Sequence, residues 1–300
     1  MGFLSKLSSI FGPGKKKPRG KALPKIDMDK RFELLNRLGQ GSMSQVWRAR
    51  DKRLGITICL KILNKEKTEK FEARFIGLNR PTEGVVCVSL RHRNVVRTHE
   101  YGVNARGEQL LIMELIDGMG LNFLIETKSE KLKGKRVEVL IQMADGLEFI
   151  HNQGYLHRDI CPRNIMVTNE EFVVKYIDFG LSIPNLPEFR RPGNRTGTPN
   201  YLAPELIRRT ATDHRVDMFA LGVTAYELFT GGLPWEKSQS LETLLAHVNH
   251  RGKNPLDYRH DLDKDVVAFL NKAIERDPRE RFQNPVEFRD ALKALPRQDY

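Results

Sequence analysis

Two short polar motifs at a fixed spacing constrain this chain more than any other feature of its sequence. The first, at residues 155–164, reads Tyr-Leu-His-Arg-Asp-Ile-Cys-Pro-Arg-Asn, and the second, at residues 177–180, reads Ile-Asp-Phe-Gly. Asp178 lies 14 residues after Asn164. Solvated loop residues would account for either motif alone, but chance does not easily produce both at this spacing. The pair therefore predicts one catalytic site that includes Asp159, Asn164 and Asp178.

The two motifs resemble the His-Arg-Asp catalytic loop and the Asp-Phe-Gly metal motif of protein kinases. The resemblance implies that Asp159 is the catalytic base and orients the acceptor hydroxyl, while Asn164 and Asp178 hold the Mg²⁺ ions that bridge the phosphates of ATP. It implies a structural role for His157, which packs and hydrogen-bonds the loop. Arg158 is expected to pair with an acidic or phosphorylated group of the activation segment.

Later motifs extend this resemblance over about Phe32–Leu295. Residues 197–205 read Gly-Thr-Pro-Asn-Tyr-Leu-Ala-Pro-Glu and resemble the end of the activation segment in serine/threonine kinases rather than in tyrosine kinases. Residues 217–222 resemble the start of a conserved kinase helix, and Arg281 is expected to form a buried salt bridge with Glu205. The resemblance implies a serine/threonine protein kinase that transfers the γ-phosphate of ATP to protein hydroxyls.

A candidate phosphate-binding loop precedes these motifs. Residues 38–46 read Leu-Gly-Gln-Gly-Ser-Met-Ser-Gln-Val, and glycines there would let backbone N–H groups approach phosphate without a Cβ in the way. Ser44 replaces the third glycine of the kinase pattern, so a plain hairpin turn explains the local sequence equally well. The residues that the resemblance assigns to ATP binding are Leu38, Gly39, Gln40, Gly41, Ser42, Val46, Cys59, Lys61, Met113, Glu114, Ile116 and Met166.

Within that set, the resemblance assigns distinct roles around the adenine ring. Met113 is expected at the back of the adenine pocket, with the backbone groups of Glu114 and Ile116 hydrogen-bonding adenine. The walls of the pocket are expected to come from Val46, Cys59 and Met166.

A lysine on a β-rich run is the next catalytic candidate. Residues 58–61 read Ile-Cys-Leu-Lys and match the kinase strand that carries the catalytic lysine. A lysine that points from a buried strand is costly unless it meets an anion, and an ATP phosphate would be that anion for Lys61. Glu83 is assigned as its orienting carboxylate, with Glu69 and Glu72 as competitors.

The periodicity of the chain predicts two regions. Short β-rich runs fill the region from Phe32 to about Val103, with one helical stretch around residues 83–90, and helical periodicity takes over from about Leu121. The predicted fold is therefore α+β, the bilobal protein kinase fold, with a small β-rich N-lobe carrying one main helix, a larger mainly helical C-lobe, and an active cleft between them. The predicted limits are an extension at 1–30 and a kinase domain at 31–297, divided into an N-lobe at about 31–113, a hinge at 114–118 and a C-lobe at 119–297.

The extension has a composition of its own. Phe3, Leu4, Leu7, Ile10 and Phe11 recur at helical spacing, and a basic run follows at residues 15–21. Apolar insertion combined with polybasic attraction predicts reversible binding of residues 1–21 to an anionic membrane surface. A solvated tail and a helix that docks on its own kinase domain remain the alternatives. A secretory signal and myristoylation both fit poorly, the first because polar residues interrupt the apolar stretch and the second because Lys6 stands where Ser or Thr is needed.

Cysteine content and net charge limit the cellular compartment and the partners expected for this chain. The three cysteines lie far apart without a CxxC spacing, which favours a reducing compartment, and no apolar run is long enough to span a membrane. We expect a cytoplasmic protein that is peripheral at the inner face of the cell membrane. The net charge of +12 indicates attraction to anionic surfaces, and no specific nucleic acid is expected.

The chain departs from the family at two functional positions. Cys161 stands where the commonest serine/threonine kinases have a lysine that contacts the γ-phosphate, and Arg163 is expected to supply the missing charge. Because basophilic kinases carry a glutamate at the position of Arg163, no strong preference for basic substrates is expected. Thr196 is the candidate activation-segment phosphosite.

Two other functions stay open at this stage. A pseudokinase or scaffold is suggested by Ser44 and Cys161. A small-molecule kinase of the aminoglycoside or choline type shares the chemistry but is not expected to carry the motif at residues 197–205.

Overall fold

The computed structural model describes residues 23–40, 43–193, 195–236 and 241–300. The chain forms two compact units. The first unit comprises the described residues up to Leu90 together with Arg97–Leu115. The second comprises Arg91–Val96 and Ile116–Tyr300. Strands dominate the first unit and helices the second, which confirms the α+β class. Among the described residues no helix is long and apolar enough to cross a membrane.

The first unit is built on a five-stranded antiparallel sheet with the strand order β1-β2-β3-β5-β4. The short β-rich runs predicted from Phe32 onward form strands. In chain order its elements are α1 (Met28–Arg31), β1 (Phe32–Gln40), β2 (Ser44–Asp51), β3 (Ile56–Leu63), α2 (Lys65–Glu72), α3 (Glu83–Ser89), β4 (Thr98–Val103) and β5 (Gln109–Glu114).

The register of this sheet separates its two faces. Val46 pairs with Lys61, and Cys59 pairs with Met113. Because paired residues share a face and alternate residues along a strand do so too, these four side chains lie on one face of the sheet. The opposite face carries the apolar core of the unit, made by Ile26, Phe32, Ala49, Ile58, Leu60, Leu110 and Ile112.

One helix more than expected follows β3. The sequence predicts a single main helix in this region, and α3 corresponds to it, but α2 is a second helix. Asn64 caps α2, because its side chain accepts a hydrogen bond from the backbone N–H of Lys67. The polar composition of Lys65–Glu72 gives little apolar periodicity, which is why the pattern did not reveal this helix.

The described part of the extension packs against the sheet. The backbone N–H of Ile26 donates to the carbonyl of Val103, and the N–H of Val103 donates to the carbonyl of Pro24. Ile26 is only 8% exposed and belongs to the core. The segment Pro24–Met28, here called the strap, lies before the expected boundary at residue 30, yet it is part of the first unit. Residues 1–22 lie outside the described residues.

A short segment of the expected N-lobe belongs to the second unit. Residues 91–96 are held there by Asn94, whose side-chain amide donates to the carbonyl of Val174 at 2.8 Å. The backbone N–H of Val96 also donates to the carbonyl of Tyr176. These contacts with Val174 and Tyr176 assign residues 91–96 to the second unit.

The second unit surrounds a buried central helix, α7. Nearly every side chain of this helix is buried. The elements of the unit are β6 (Gly118–Gly120), α4 (Leu121–Glu126), α5 (Arg136–Asn152), β7 (Tyr155–Leu156), β8 (Ile165–Thr168), β9 (Val174–Tyr176), β10 (Ile183–Pro184), α6 (Pro204–Ile207), α7 (Arg215–Thr230), α8 (Leu241–Asn249), α9 (Lys264–Ala273) and α10 (Pro285–Lys293).

A buried ion pair ties α6 to the chain before α10. Both guanidinium nitrogens Nη1 and Nη2 of Arg281 lie 2.8 Å from the two carboxylate oxygens of Glu205. The side chain of Arg281 is fully buried and that of Glu205 nearly so. The salt bridge expected between these two residues is confirmed.

Candidate active site

Asp159 and Asn164 lie side by side in the loop between β7 and β8. Asn164 ends a 3₁₀ turn that Pro162 begins. Its side-chain amide nitrogen donates to the Asp159 carboxylate oxygen Oδ2 at 2.9 Å and to the Asp159 backbone carbonyl at 2.8 Å. One side chain thus fixes both the carboxylate and the backbone of Asp159.

Thr198 holds the other oxygen of the Asp159 carboxylate. Its hydroxyl donates to Asp159 Oδ1 at 2.7 Å, and its backbone N–H donates to the same atom at 2.8 Å. Gly197 allows this approach, since a Cβ at that position would lie 2.9 Å from the carbonyl oxygen of Arg158. The sequence indicated Thr198 only as part of the Gly-Thr-Pro motif, and its contact with Asp159 emerges from the structure.

Asp217 holds the backbone of the candidate catalytic loop. Its carboxylate accepts hydrogen bonds of 2.8 Å from the backbone N–H groups of His157 and Arg158, and it lies 2.9 Å from Nε2 of His151. Arg158 has a φ of +71°, a left-handed conformation that is strained for a residue with a side chain. Asp217, noted in the sequence only as a helix start, therefore stabilises the strained backbone next to Asp159.

The pKa of Asp217 reflects this supporting role. Burial alone would raise the pKa of its carboxyl group. Hydrogen bonds from His151 and from the backbone N–H of Arg158 outweigh burial, and the pKa lies below its ordinary value. Asp217 thus remains an anion able to accept these hydrogen bonds.

His157 is buried and packs the loop, as expected. Its ring lies 5.3 Å from the ring of Tyr176 and 5.0 Å from the ring of Phe179, measured between centroids. The backbone N–H of Asp159 donates to Nδ1 of His157 at 3.3 Å. Burial lowers the pKa of His157, so the imidazole is neutral and serves as a packing group.

Asp178 is connected to the same loop through the backbone. The N–H of Ile177, the residue before it, donates to the carbonyl of Asn164 at 3.0 Å. The carboxylate oxygen Oδ1 of Asp178 accepts from the N–H of Gly180 at 2.9 Å. The structure thus brings the two polar motifs of the sequence together.

The donor set of these two residues fits a hard cation. Since Nδ2 of Asn164 makes both hydrogen bonds to Asp159, the remaining polar atom of that side chain is the amide oxygen. No described residue donates a hydrogen bond to it. Amide and carboxylate oxygens are the ligands that Mg²⁺ prefers, so Asn164 and Asp178 offer suitable chemistry.

In the first unit, Lys61 and Glu83 form a buried ion pair. Nζ of Lys61 lies 2.7 Å from Oε1 of Glu83, and the two residues are 5% and 7% exposed. Glu83 opens helix α3, whereas Glu69 is exposed and Glu72 accepts a hydrogen bond from the side chain of Gln109. The structure thus brings together the pair expected from the sequence and separates its two competitors.

The apolar candidates of the first unit line the same face of the sheet as Lys61. Val46, Cys59 and Met113 share that face through the register of β2, β3 and β5. Burial raises the pKa of the Cys59 thiol to about 11, so this side chain is a neutral, apolar wall. A flat surface of this kind suits an aromatic ring.

The candidates of the glycine-rich stretch are only partly described. Leu38 and Gly39 lie in β1, where Leu38 is exposed and the space around Gly39 is open. The side chain of Gln40, and all of Gly41 and Ser42, lie outside the described residues.

The remaining adenine candidates follow β5 or lie in β8. The backbone N–H of Glu114 donates to the carbonyl of Arg97, and its side chain accepts from the N–H of Arg97. The backbone carbonyl of Glu114 is therefore the group of this residue that is left for a hydrogen bond with adenine. Ile116 is half-buried in the second unit, and Met166 is half-buried in β8 opposite Gly120.

The residues that distinguish this chain from its family differ in exposure. Cys161 is 1% exposed, and burial raises the pKa of its thiol to about 12. Arg163 is exposed. Thr196 is half-buried in the segment before Thr198.

Comparison with known proteins gives a family match and several relatives. The family model described as the protein kinase domain matches residues 32–293. A probable serine/threonine-protein kinase of Clostridium perfringens is 30% identical over 268 residues, which cover 88% of this chain and 38% of that protein. The serine/threonine-protein kinase pkn3 of Myxococcus xanthus is 30% identical over 273 residues, covering 87% of this chain and 49% of that protein.

A eukaryotic relative matches over more of its own length. The Aurora kinase of Saccharomyces cerevisiae is 31% identical over 281 residues, which cover 92% of this chain and 71% of that protein. The chain thus spans less than half the length of the two bacterial relatives and about two thirds of the yeast one.

Proposed function

The chain belongs to the serine/threonine protein kinase family, and from this membership we propose that it transfers the γ-phosphate of ATP to serine or threonine hydroxyls of proteins. The observation that carries the proposal is that hydrogen bonds fix both carboxylate oxygens of Asp159. Asn164 fixes one carboxylate oxygen and Thr198 fixes the other. A carboxylate held at both oxygens is preorganised to align an acceptor hydroxyl.

In this proposal Asp159 is the catalytic base. It orients the acceptor hydroxyl and takes its proton as the hydroxyl oxygen attacks the γ-phosphorus, and ADP leaves. Asp217 keeps the loop in place by its hydrogen bonds to the backbone of His157 and Arg158. Thr198, which comes from the activation segment, makes the position of Asp159 depend on the ordering of that segment.

The residues that match the family's ATP contacts are proposed to bind ATP in this chain. Lys61, oriented by Glu83, is proposed to bind the α- and β-phosphates, because anions stabilise a buried ammonium group. The sheet face with Val46, Cys59 and Met113 contacts adenine, together with Met166. Backbone groups of Glu114 and Ile116 hydrogen-bond its edge, and residues 38–42 cover the phosphates.

Mg²⁺ is proposed to bind through oxygen atoms of Asn164 and Asp178. When bound, it neutralises the charge of the phosphate oxygens. The chain itself prepares the two ligands: Asp159 orients the amide of Asn164, and the N–H of Gly180 orients the carboxylate of Asp178.

Arg163 is proposed to replace the charge that Cys161 does not provide. It lies exposed four residues after Asp159, so its guanidinium can reach solvent and substrate alike. A cation there also disfavours basic residues in the substrate. Thr196 is proposed as an autophosphorylation site, with Arg158 as the partner of the phosphate.

The limits of the domain and its cellular place are also proposals. The kinase domain is proposed to span residues 31–297, with a hinge at 114–118, and the strap Pro24–Met28 packs on its first unit. Residues 1–21 are proposed to bind anionic membrane surfaces reversibly, at the inner face of the cell membrane. Co-sedimentation with anionic and neutral vesicles tests this, and equal recovery in solution with both contradicts it.

Incubation of the purified full chain with labelled ATP, Mg²⁺ and a generic protein substrate tests the proposed activity. We expect transfer of label to serine and threonine, and its loss in Asp159→Asn, which keeps the size of the side chain but not its basicity. Absence of any label that depends on Asp159 would contradict the proposal and favour a binding role.

A further inference from the structure

The first unit carries a large groove on the sheet face opposite Lys61, here called the outer groove. Its volume is about 1150 Å³. The apolar residues that line it are Ile26, Met28, Leu34, Trp47, Ile62, Leu63, Val103 and Ala105. Because Trp47 pairs with Leu60 and Ile62 pairs with Leu110, the groove lies over the apolar core of the sheet and away from the proposed ATP site.

The apolar face is only partly covered along this groove. Ala49, Ile58 and Leu60 on the same face are fully buried. In the groove, by contrast, Leu34 is 42% exposed, and Trp47 and Ile62 are half-buried. These apolar side chains remain accessible in the groove, and a segment that covered them would gain by removing their surface from water.

The strap Pro24–Met28 forms part of the wall of the outer groove. The strap Pro24–Met28 is anchored by the hydrogen bonds that Ile26 and Pro24 make with Val103, and Ile26 and Met28 already cover part of the apolar face. We propose that the outer groove is the docking site for residues 3–11 of the same chain. The segment would continue the cover that the strap begins.

The sequence of this segment matches the groove in character. Phe3, Leu4, Leu7, Ile10 and Phe11 form one apolar face at helical spacing. The linker from Phe11 to Pro24 spans up to about 40 Å when extended, so the tether does not restrict docking. A tether of this length also gives the segment an effective concentration on the order of millimolar at the groove.

The charges around the groove agree with this occupant. Three carboxylates line it, from Asp27, Asp29 and Glu108, against two cations. Residues 1–11 carry a single charged side chain, Lys6, and it is basic. Docking therefore brings opposite charges together at the rim.

The docked segment cannot offer the same apolar face to lipid. Groove docking and the membrane contact proposed above therefore compete, and the groove is the position of the segment in the absence of membrane. The proposal does not depend on kinase activity, so its test needs neither ATP nor substrate.

Quenching of tryptophan fluorescence by acrylamide tests the docking in the full chain without lipid. The chain has two tryptophans, of which Trp235 is 6% exposed and hydrogen-bonded to the carbonyl of His250, so it gives a constant background. Trp47 reports on the groove. We expect Ile10→Asp to raise the quenching constant of Trp47 about two-fold or more, and Ser9→Asp, with the same charge on the polar side of the segment, to leave it unchanged.

Limited trypsin cleavage after Lys6 gives a second readout that also tests the groove side. We expect cleavage to be about five-fold faster or more in Leu34→Asp and in Ile10→Asp. Leu35→Asp is the matched control, because Leu35 is 47% exposed but does not line the groove. An unchanged melting temperature in both β1 variants verifies that the sheet is intact.

Two results would overturn the proposal. Equal quenching and equal cleavage in all four variants and the unmodified chain would mean that the segment does not occupy the groove. Protection of Trp47 and Lys6 that disappears on dilution would mean that a second copy of the chain occupies it instead.

Discussion

The thiol of Cys161 lies 3.7 Å from the hydroxyl oxygen of Thr198. Since the single hydroxyl proton of Thr198 is donated to Asp159, the thiol is the donor in this contact. Cys161 stands where the commonest serine/threonine kinases have a lysine. Here it is a buried, neutral residue, and its thiol begins a chain of hydrogen bonds that passes through Thr198 and ends on Asp159, the proposed base. We therefore expect catalysis by this loop to depend on geometry at Cys161 and to take positive charge from another residue.

Removing the Thr198 hydroxyl should slow turnover. Thr198→Val keeps the shape of the side chain but loses a hydrogen bond to a charged group, which is worth about 1.5–3 kcal/mol, or about 10- to 100-fold in rate. We expect kcat to fall by that factor with little change in KM for ATP, measured by steady-state kinetics. Thr198→Ser retains the donor and should keep most of the activity, and a Ser variant as slow as the Val variant would argue against the role of the hydroxyl.

The Cys161 thiol should resist modification at neutral pH. Because burial raises its pKa to about 12 from the ordinary 9.0, almost no thiolate is present at pH 8, and alkylation of the native protein should be about 1000-fold slower than after unfolding. Mass spectrometry of iodoacetamide-treated protein measures this. Rapid labelling of Cys161 in the native state would contradict it.

The same raised pKa has a consequence for stability. The folded state holds the thiol proton more tightly than the unfolded state, so the contribution of Cys161 to stability is complete below pH 9 and is lost as the pH rises towards 12. Cys161→Ser should remove this dependence. Urea unfolding of both proteins between pH 8 and pH 10 compares the slopes, and parallel curves would argue against it.

Arg163 should contribute to catalysis through its charge. A single cation near the transferred phosphoryl group is worth on the order of ten-fold or more in rate, so Arg163→Ala should lower kcat by at least that factor, and Arg163→Lys should recover part of it. Arg191→Ala is the control, because Arg191 is also exposed but lies outside the catalytic loop. Full turnover of Arg163→Ala would remove the role proposed for this residue.

Breaking the Lys61 and Glu83 pair should destabilise the first unit. Glu83→Leu leaves a buried ammonium group without its carboxylate, at a cost of about 3–5 kcal/mol in the free energy of unfolding. The double variant Lys61→Met/Glu83→Leu removes both charges and should be more stable than Glu83→Leu alone. Urea unfolding measures both, and additive losses would show that the two residues are not coupled.

The Arg281 and Glu205 pair should require arginine. The two guanidinium nitrogens match the two carboxylate oxygens of Glu205, a geometry that lysine does not provide, and Arg281→Lys should cost about 2–4 kcal/mol. Arg279→Lys is the control, because the side chain of Arg279 is 80% exposed and solvent screens its contact with Asp277. Equal stability of the two variants would contradict the expected difference.

Local patterns in the sequence determined the elements and the catalytic types of residue. Short β-rich runs predicted strands in the region of β1, β2 and β3, and the spacing of two polar motifs predicted Asp159, Asn164 and Asp178 as one site. The hydrogen bond from Ile177 to Asn164 brings the two motifs together. These predictions succeed because strand periodicity and loop motifs depend on neighbours along the chain. Helix α2, whose cap is a single asparagine, lacked such a pattern.

Tertiary structure alone decided other long-range contacts, including those that hold the catalytic loop. Thr198 reaches Asp159 across 39 residues, and Asp217 reaches the loop at Arg158 across 59 residues. The strap Pro24–Met28, assigned by its composition to an extension, became part of the core because Ile26 is buried on the sheet. Such contacts depend on how the chain reverses and on which apolar surfaces exclude water together, and neither is written in the spacing of neighbouring residues.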